Sequence, residues 1–263
     1  MSDSRKYTSK LEGKRILVIG GSSGIGYGVA EASLEYGAHV AISSSSQSRI
    51  DTAVASLIES YPSAKPRISG YAYSMGDQAS LEANIVSLLD KATANAKLDH
   101  VVWTAGDQLA IAPLAELSLD SVIQAGMVRY FGPLMLGKHA PKYLSPGPAS
   151  SITLTTGAVS EKPIAGWTAP GGFATALHGL NRGLALDLKP IRVNLVSPGA
   201  VDTGLWDTMT PEEKEKMMKY FGEKSTTGRV GQVVDVAEAF LYAMKDGNVT
   251  GSLISTNSGS LLI

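Results

Sequence analysis

Cysteine is absent from the 263 residues, which excludes disulfides and thiolate-held metals. Histidine is scarce: His39, His100, His139 and His178 lie far apart in the chain, so no metal centre is expected. Neither sign of charge is in excess, and a net charge of -1 provides no basic footprint for nucleic acid or an anionic membrane. No stretch approaches the roughly 18 apolar residues of a membrane span. Met1 to Lys10 is polar and mixed in charge, without the apolar core of a secretory signal. These absences lead to the expectation of a soluble, cytoplasmic protein without nucleic-acid or membrane partners.

What is present is a chain rich in small and aliphatic residues. With 44% hydrophobic residues and 28 glycines, it suits one α/β domain large enough to bury both faces of a sheet. Short apolar runs alternate with longer segments of helical period, the pattern of a doubly wound parallel sheet. The runs predict strands at 15–19, 39–43, 68–73, 100–103, 151–155, 192–196 and 252–255. The intervening periodicity predicts helices at 24–36, 48–60, 78–94, 119–143, 173–188, 211–220 and 233–244. No composition break or repeat divides the chain, so residues 11–263 are expected to form one domain behind a flexible segment at 1–10.

The first predicted strand runs into Gly20-Gly21-Ser22-Ser23-Gly24-Ile25-Gly26. A glycine turn that opens a helix can hold a dinucleotide pyrophosphate on backbone N–H groups, which makes the fold Rossmann-like. About 20 residues further on, a site selective for NAD usually carries a carboxylate on the ribose hydroxyls. Here that place holds Ser44, followed by Ser45 and Ser46, with Arg49 opening the next helix. Hydroxyls, a cation and a helix N-terminus suit a 2'-phosphate, so the expected cofactor is NADP(H).

From Leu11 onward the chain resembles the short-chain dehydrogenase/reductase family. The glycine turn is similar to the family's Thr-Gly-x-x-x-Gly-x-Gly, with Ile19 in place of Thr. Ser74-Met75 stands where an Asp-Val pair touches adenine, and Trp103-Thr104-Ala105-Gly106 matches the Asn-Asn-Ala-Gly strand end. Asn194 to Gly199, continuing to Val201 and Thr203, resembles the segment that lines the nicotinamide, through Pro198 and Gly199. By resemblance, these positions hold the cofactor and the protein is a homo-oligomer, a tetramer in the family's usual form.

The family's catalytic Asn, Ser, Tyr and Lys are mostly missing. Arg129 stands at Asn, Thr156 at Ser, Pro170 at Tyr and Ala174 at Lys, and the segment from Thr156 to Gly183 contains no tyrosine. Without a positioned proton donor, reduction of a ketone to an alkoxide is disfavoured, whereas reduction of an iminium ion yields a neutral amine directly. Within the family, the chain resembles fungal alkaloid enzymes: the reductase/Diels-Alderases of malbrancheamide and paraherquamide formation and related Pictet-Spengler cyclases. They share the vacancy, an Arg on the central helix and a Trp in the loop after the fifth strand, here Arg129 and Trp167. The resemblance implies a hydrophobic, prenylated Trp-Pro-type indole substrate. The Diels-Alderases place an Asp three residues before the Trp, where this chain has Ile164.

Each candidate also has a structural reading. Arg129, amid apolar Val128, Phe131 and Leu134, either bonds cofactor or substrate through its planar fork or pairs with a structural carboxylate. Trp167 either stacks on an indole or an iminium, or packs. Thr156 either retains the family's hydroxyl function or ends a strand, and Asp107 is either a site carboxylate or a turn residue. Residues 211–221 resemble the family's substrate lid, with a charged half that also suits a solvated helix face and with Met217, Met218, Tyr220 and Phe221 to close over an apolar ligand. Three functions remain open: an iminium reductase or cyclase, a carbonyl reductase using Thr156 and water, and a nucleotide-binding protein without activity.

Overall fold

The computed structural model describes residues 4–207 and 209–263. Seven parallel strands form one sheet: β1 (Arg15–Ile19), β2 (His39–Ser44), β3 (Ile68–Ala72), β4 (His100–Trp103), β5 (Ser151–Thr155), β6 (Arg192–Pro198) and β7 (Leu253–Thr256). Their order is β3-β2-β1-β4-β5-β6-β7, so the chain reverses its direction of travel across the sheet between β1 and β4. Side chains on both faces of β1, β4, β5 and β6 are buried, which explains why their sequences read as apolar runs rather than as alternation.

Helices cover both faces: α1 (Gly24–Glu35), α2 (Gln47–Ser60), α3 (Leu81–Ala92), α4 (Leu119–Gly126), α5 (Gly132–Tyr143), α6 (Thr168–Asp187), α7 (Pro211–Glu223) and α8 (Val233–Lys245). One apolar layer joins Leu17, Val101, Trp103, Ile152 and Leu154 to α3 and α5. The other joins Ile16, Val18, Val40 and Val196 to Val29 and Leu34 of α1 and to Phe240 and Leu241 of α8. Among the described residues, no helix is long and apolar enough to cross a membrane. Residues 1–3 of the expected N-terminal segment lie outside the described residues; Thr8 and Ser9 donate to the Arg5 carbonyl in a turn, and Leu11 is fully buried.

Two helix expectations need correction. The helix expected over 119–143 is interrupted by a π-helical turn at Met127–Phe131, between α4 and α5. Pro133 follows within the same helical run and lacks an N–H to donate, while the Val128 carbonyl in the π turn accepts from Trp103 Nε1 at 3.1 Å. The helix expected to begin at Phe173 begins at Thr168, because Pro170 sits in the first turn of α6, where proline's missing donor is tolerated.

Candidate active site

The glycine turn, the end of β4 and the segment after β6 meet at the C-terminal ends of the strands, beside the point where the strand order reverses. Open α/β sheets form their ligand crevice at this place. Gly20 and Gly21 donate to the Ser43 carbonyl at 2.8 and 3.1 Å, which ties the turn to β2. Gly20 has φ +93°, and a Cβ there would strike the backbone of Ala105. A Cβ on Gly26 would strike the Gly20 carbonyl and the Thr104 hydroxyl. That hydroxyl donates toward the Ile19 and Gly20 carbonyls at 3.2 and 3.3 Å, so Thr104 and the glycines brace one another.

The turn fits a pyrophosphate. Ser23 enters α1 extended, with no side-chain cap bond, and the first turn of α1 carries no acidic residue, so its N–H groups and positive dipole end are left for an anion. Gly24, at φ +53°, faces the Thr203 side chain across the crevice; a Cβ on it would lie 3.3 Å from Thr203 Cβ. Gly199 packs on the backbone of Asn257, where a Cβ would approach to 2.9 Å.

After β2, the Ser44 hydroxyl accepts from the Ser46 N–H at 3.3 Å, and Ser46 caps α2 by accepting from the Arg49 N–H. The Arg49 guanidinium donates to the Ser45 hydroxyl at 2.7 Å and has no carboxylate partner among the described residues. Three hydroxyls and one exposed cation therefore cluster at a helix N-terminus. Ser74 is exposed, but the Met75 and Val201 side chains belong to the two core layers, so only their backbones can face a ligand. Asn194 is structural: its side-chain amide bonds the Val249 carbonyl and the Ser252 N–H.

The central part of the crevice differs from the sequence expectation in its partners. Thr156 donates its hydroxyl proton to the Ala174 carbonyl at 2.7 Å. The contact places the positions of the family's Ser and Lys side by side. It also commits the one hydroxyl hydrogen to helix backbone, leaving Thr156 as an acceptor. Pro170 is buried, and α6 contains neither tyrosine nor lysine. Trp167 lies at the N-terminal boundary of α6, after Gly166 at φ +79°. The Gly166 carbonyl accepts from Ala112, which joins this loop to the one after β4.

Arg129 lies in the π turn, a distortion that often marks functional positions because it redirects side chains from the regular helix face. Its Nε is 3.2 Å from Asp107 Oδ1, and its Nη2 donates to the Asp107 main-chain carbonyl. The guanidinium rests on Gly106, where a Cβ would come within 2.8 Å of both terminal nitrogens. Burial lowers the pKa of Arg129, and the Asp107 carboxylate opposes that shift. Motif position marks Arg129 and Asp107 each as a candidate, and the structure shows the carboxylate pairing as the one Arg129 makes; hydrophobic periodicity carries no sign of that pairing or of the Gly106 seat.

These features define an α/β protein of the dinucleotide-binding type whose catalytic crevice lacks a tyrosine-lysine proton relay. A profile of the SDR-like Rossmann domain matches residues 7–263, and the chain belongs to the short-chain dehydrogenase/reductase family. It is 43% identical to the short-chain dehydrogenase/reductase fsr5 of Gibberella fujikuroi over 272 residues, covering 100% of both chains. It is 38% identical to the short-chain dehydrogenase/reductase malC of Malbranchea aurantiaca over 264 residues, again covering 100% of both. The solved structure of the MalC reductase/Diels-Alderase from Malbranchea aurantiaca superposes with a TM-score of 0.93 at 37% identity, over 98% of this chain and 100% of that one. A small-chain dehydrogenase solved in complex with NADPH shares the fold at a TM-score of 0.78 and 24% identity, over 96% of this chain and 100% of the other.

Proposed function

We propose that this protein is an NADP(H)-dependent enzyme of fungal indole alkaloid formation that acts on an iminium ion derived from a prenylated Trp-Pro-type substrate. The observation that carries this reading is the pairing of Thr156 with the Ala174 carbonyl beside buried Pro170, which leaves no free hydroxyl proton, tyrosine or lysine at the positions of the family's relay. A ketone becomes an alkoxide on reduction, and a positioned acid contributes roughly 10²- to 10⁴-fold to that step. An iminium ion becomes a neutral amine and needs no such acid. The 38% identity to malC, whose solved structure is that of a reductase/Diels-Alderase, supports a reductase or cyclase activity.

In this reading Gly20, Ser22, Ser23, Gly24, Ile25 and Gly26 hold the cofactor's pyrophosphate, and Ser44, Ser45, Ser46 and Arg49 hold its 2'-phosphate. Ser74 and the Met75 backbone border the adenine; Thr104, Ala105, Gly106, Pro198, Gly199, Val201 and Thr203 border the nicotinamide half. When bound, NADPH supplies the hydride. Arg129 orients the substrate, Trp167 presents an aromatic face to it, and Thr156 accepts a hydrogen bond from it. Ile164, 41% exposed in the loop before Trp167, offers no acid, which favours iminium reduction over an acid-assisted cycloaddition. The same reading has the protein act in the cytoplasm as a homo-oligomer.

Incubation with NADPH and a synthetic prenylated Trp-Pro aldehyde tests the reading, with product mass and chirality as the measurement. A single enantiomer of a reduced or cyclised product is expected. Racemic product at the rate without enzyme overturns it.

A further inference from the structure

Among the described residues, Asp107 is the one carboxylate brought against Arg129, and Arg129 grips it twice, at the carboxylate and at the main-chain carbonyl. Its chain position sets it at the junction already described: Ala105, two residues earlier, packs against Gly20, and Gly106 is the seat of the guanidinium. Asp107 Oδ1 is buried and makes no aligned hydrogen bond among the described residues, although Arg129 Nε lies 3.2 Å away. The ion pair with Arg129 offsets the cost of burying this oxygen, and its imperfect alignment leaves lone pairs open to a further donor. The side chain as a whole is 31% exposed, so the carboxylate is also within reach of a ligand. A carboxylate has about four lone-pair sites and a guanidinium five N–H donors, so the pair retains unused acceptors and donors on adjacent groups. Of the other acids near the crevice, Asp202 and Asp207 are held by Lys214 at 3.5 and 3.0 Å.

Resting on the proposed iminium chemistry, we propose that Asp107 and Arg129 form a two-pronged clamp for an amine or iminium nitrogen that stands next to a carbonyl. The Asp107 carboxylate takes the positively charged nitrogen, and Arg129 donates to the neighbouring carbonyl oxygen. The clamp makes and breaks no covalent bond. Asp107 keeps its charge throughout, while the C=N π pair of the substrate becomes the lone pair of the product amine. Because the Arg–Asp pair is neutral as a unit, it complements a substrate that carries both a cation and a dipole better than one that carries only an apolar ring. Asp107 is thus a recognition carboxylate; it does not donate a proton and does not replace the acid absent at Ile164.

The test uses the protein saturated with NADP+, which cannot reduce the probe, and two probes of one shape. The first is N-(indolylethyl)prolinamide, protonated on its ring nitrogen; the second is the corresponding cyclopentanecarboxamide, which keeps the carbonyl and lacks the charge. Calorimetry is expected to show the amine binding at least tenfold tighter, about 1.4 kcal/mol. Asp107→Asn should bring the two within about twofold by weakening the amine alone, whereas Asp107→Glu should keep most of the preference. Equal binding of the two probes by the unaltered protein overturns the clamp, as does failure to bind either or a preference that survives Asp107→Asn. The unaltered protein alone decides the matter if the variants do not fold. Turnover of the prenylated aldehyde without a charge preference would sink the clamp and leave the iminium reading standing. A charge preference without turnover would do the reverse.

Discussion

The two ends of the sheet handle polar groups in opposite ways. Where the strands begin, Asp99, His100 and Arg192 are paired off with the protein itself. Asp99 accepts from Lys14 at 3.1 Å and from the Arg15 N–H at 2.9 Å, and His100 bonds Ser151 at 2.9 Å. Arg192 gives its donors to the carbonyls of Pro148, Ala243, Val249 and Met244, closing the C-terminus of α8. Where the strands end, the chain is lined with glycine, the α1 N-terminus lacks a side-chain cap, and Arg49 has no carboxylate partner among the described residues. The contrast is sharpest in the two arginines whose pKa values burial lowers, Arg192 and Arg129. Arg192 gives four hydrogen bonds to backbone carbonyls, while Arg129 retains donor capacity beside a single carboxylate. One end of the sheet is committed to stability, and the other keeps its bonding capacity for ligands.

Arg192→Leu should break the comparison most visibly. It strands carbonyls at a helix end that have no other donor, at about 1–3 kcal/mol for each buried group left unsatisfied. A loss on the order of 3–5 kcal/mol and a fall in Tm of about 10 °C are expected by calorimetry. NADPH affinity per folded molecule should not change. A variant that melts like the parent would show that this end is not the structural one.

His100 comes next. Burial pushes its pKa down to about 3, so the folded protein resists a proton that the unfolded chain accepts below about 6.5. The unfolded state therefore binds more protons between those values. The stability due to the neutral imidazole is complete above about pH 6.5 and is lost as pH falls toward 3, at up to about 1.4 kcal/mol per unit. His100→Asn should flatten that part of the stability-versus-pH curve measured by denaturant titration. A parallel curve would refute the assignment.

How much of this contrast was legible beforehand follows from which physics sequence carries. Fully buried strands such as Leu17-Val18-Ile19 and Val101-Val102-Trp103 announce themselves by apolar character alone, and the glycine turn by a backbone requirement that few other residues meet. The π turn was not legible, because Met127 to Phe131 keeps an apolar pattern that a continuous helix would also show. The start of α6 was misplaced because Pro170 reads as a boundary, although proline fits a first helical turn. The bond from Thr156 to Ala174 and the pair of Arg129 with Asp107 span 18 and 22 residues and depend on tertiary approach, which no local pattern encodes. Resemblance to the family supplied the positions, and the structure supplied their partners.

Arg129→Ala tests the other arginine. Product formation from the prenylated aldehyde should fall at least tenfold, about 1.4 kcal/mol of transition-state stabilisation, with Tm nearly unchanged when NADPH is present. A large drop in Tm with full activity per folded molecule would make Arg129 a second Arg192. Arg49 should show the smallest effect. The unaltered protein is expected to bind NADPH at least tenfold tighter than NADH, and Arg49→Ala should remove most of that preference while leaving NADH affinity within about twofold. Equal affinities for the two nucleotides in the unaltered protein would contradict the reading of the serine-arginine cluster.

The most direct measurement sets an iminium against a ketone in the same assay. With NADPH in excess, its oxidation is followed with a cyclic iminium such as a dihydro-β-carbolinium and, separately, with a small cyclic ketone. A crevice without a tyrosine-lysine relay predicts turnover of the iminium and a ketone rate at background. Ketone turnover at a comparable rate would mean that a proton donor is present after all and that the relay has not been vacated.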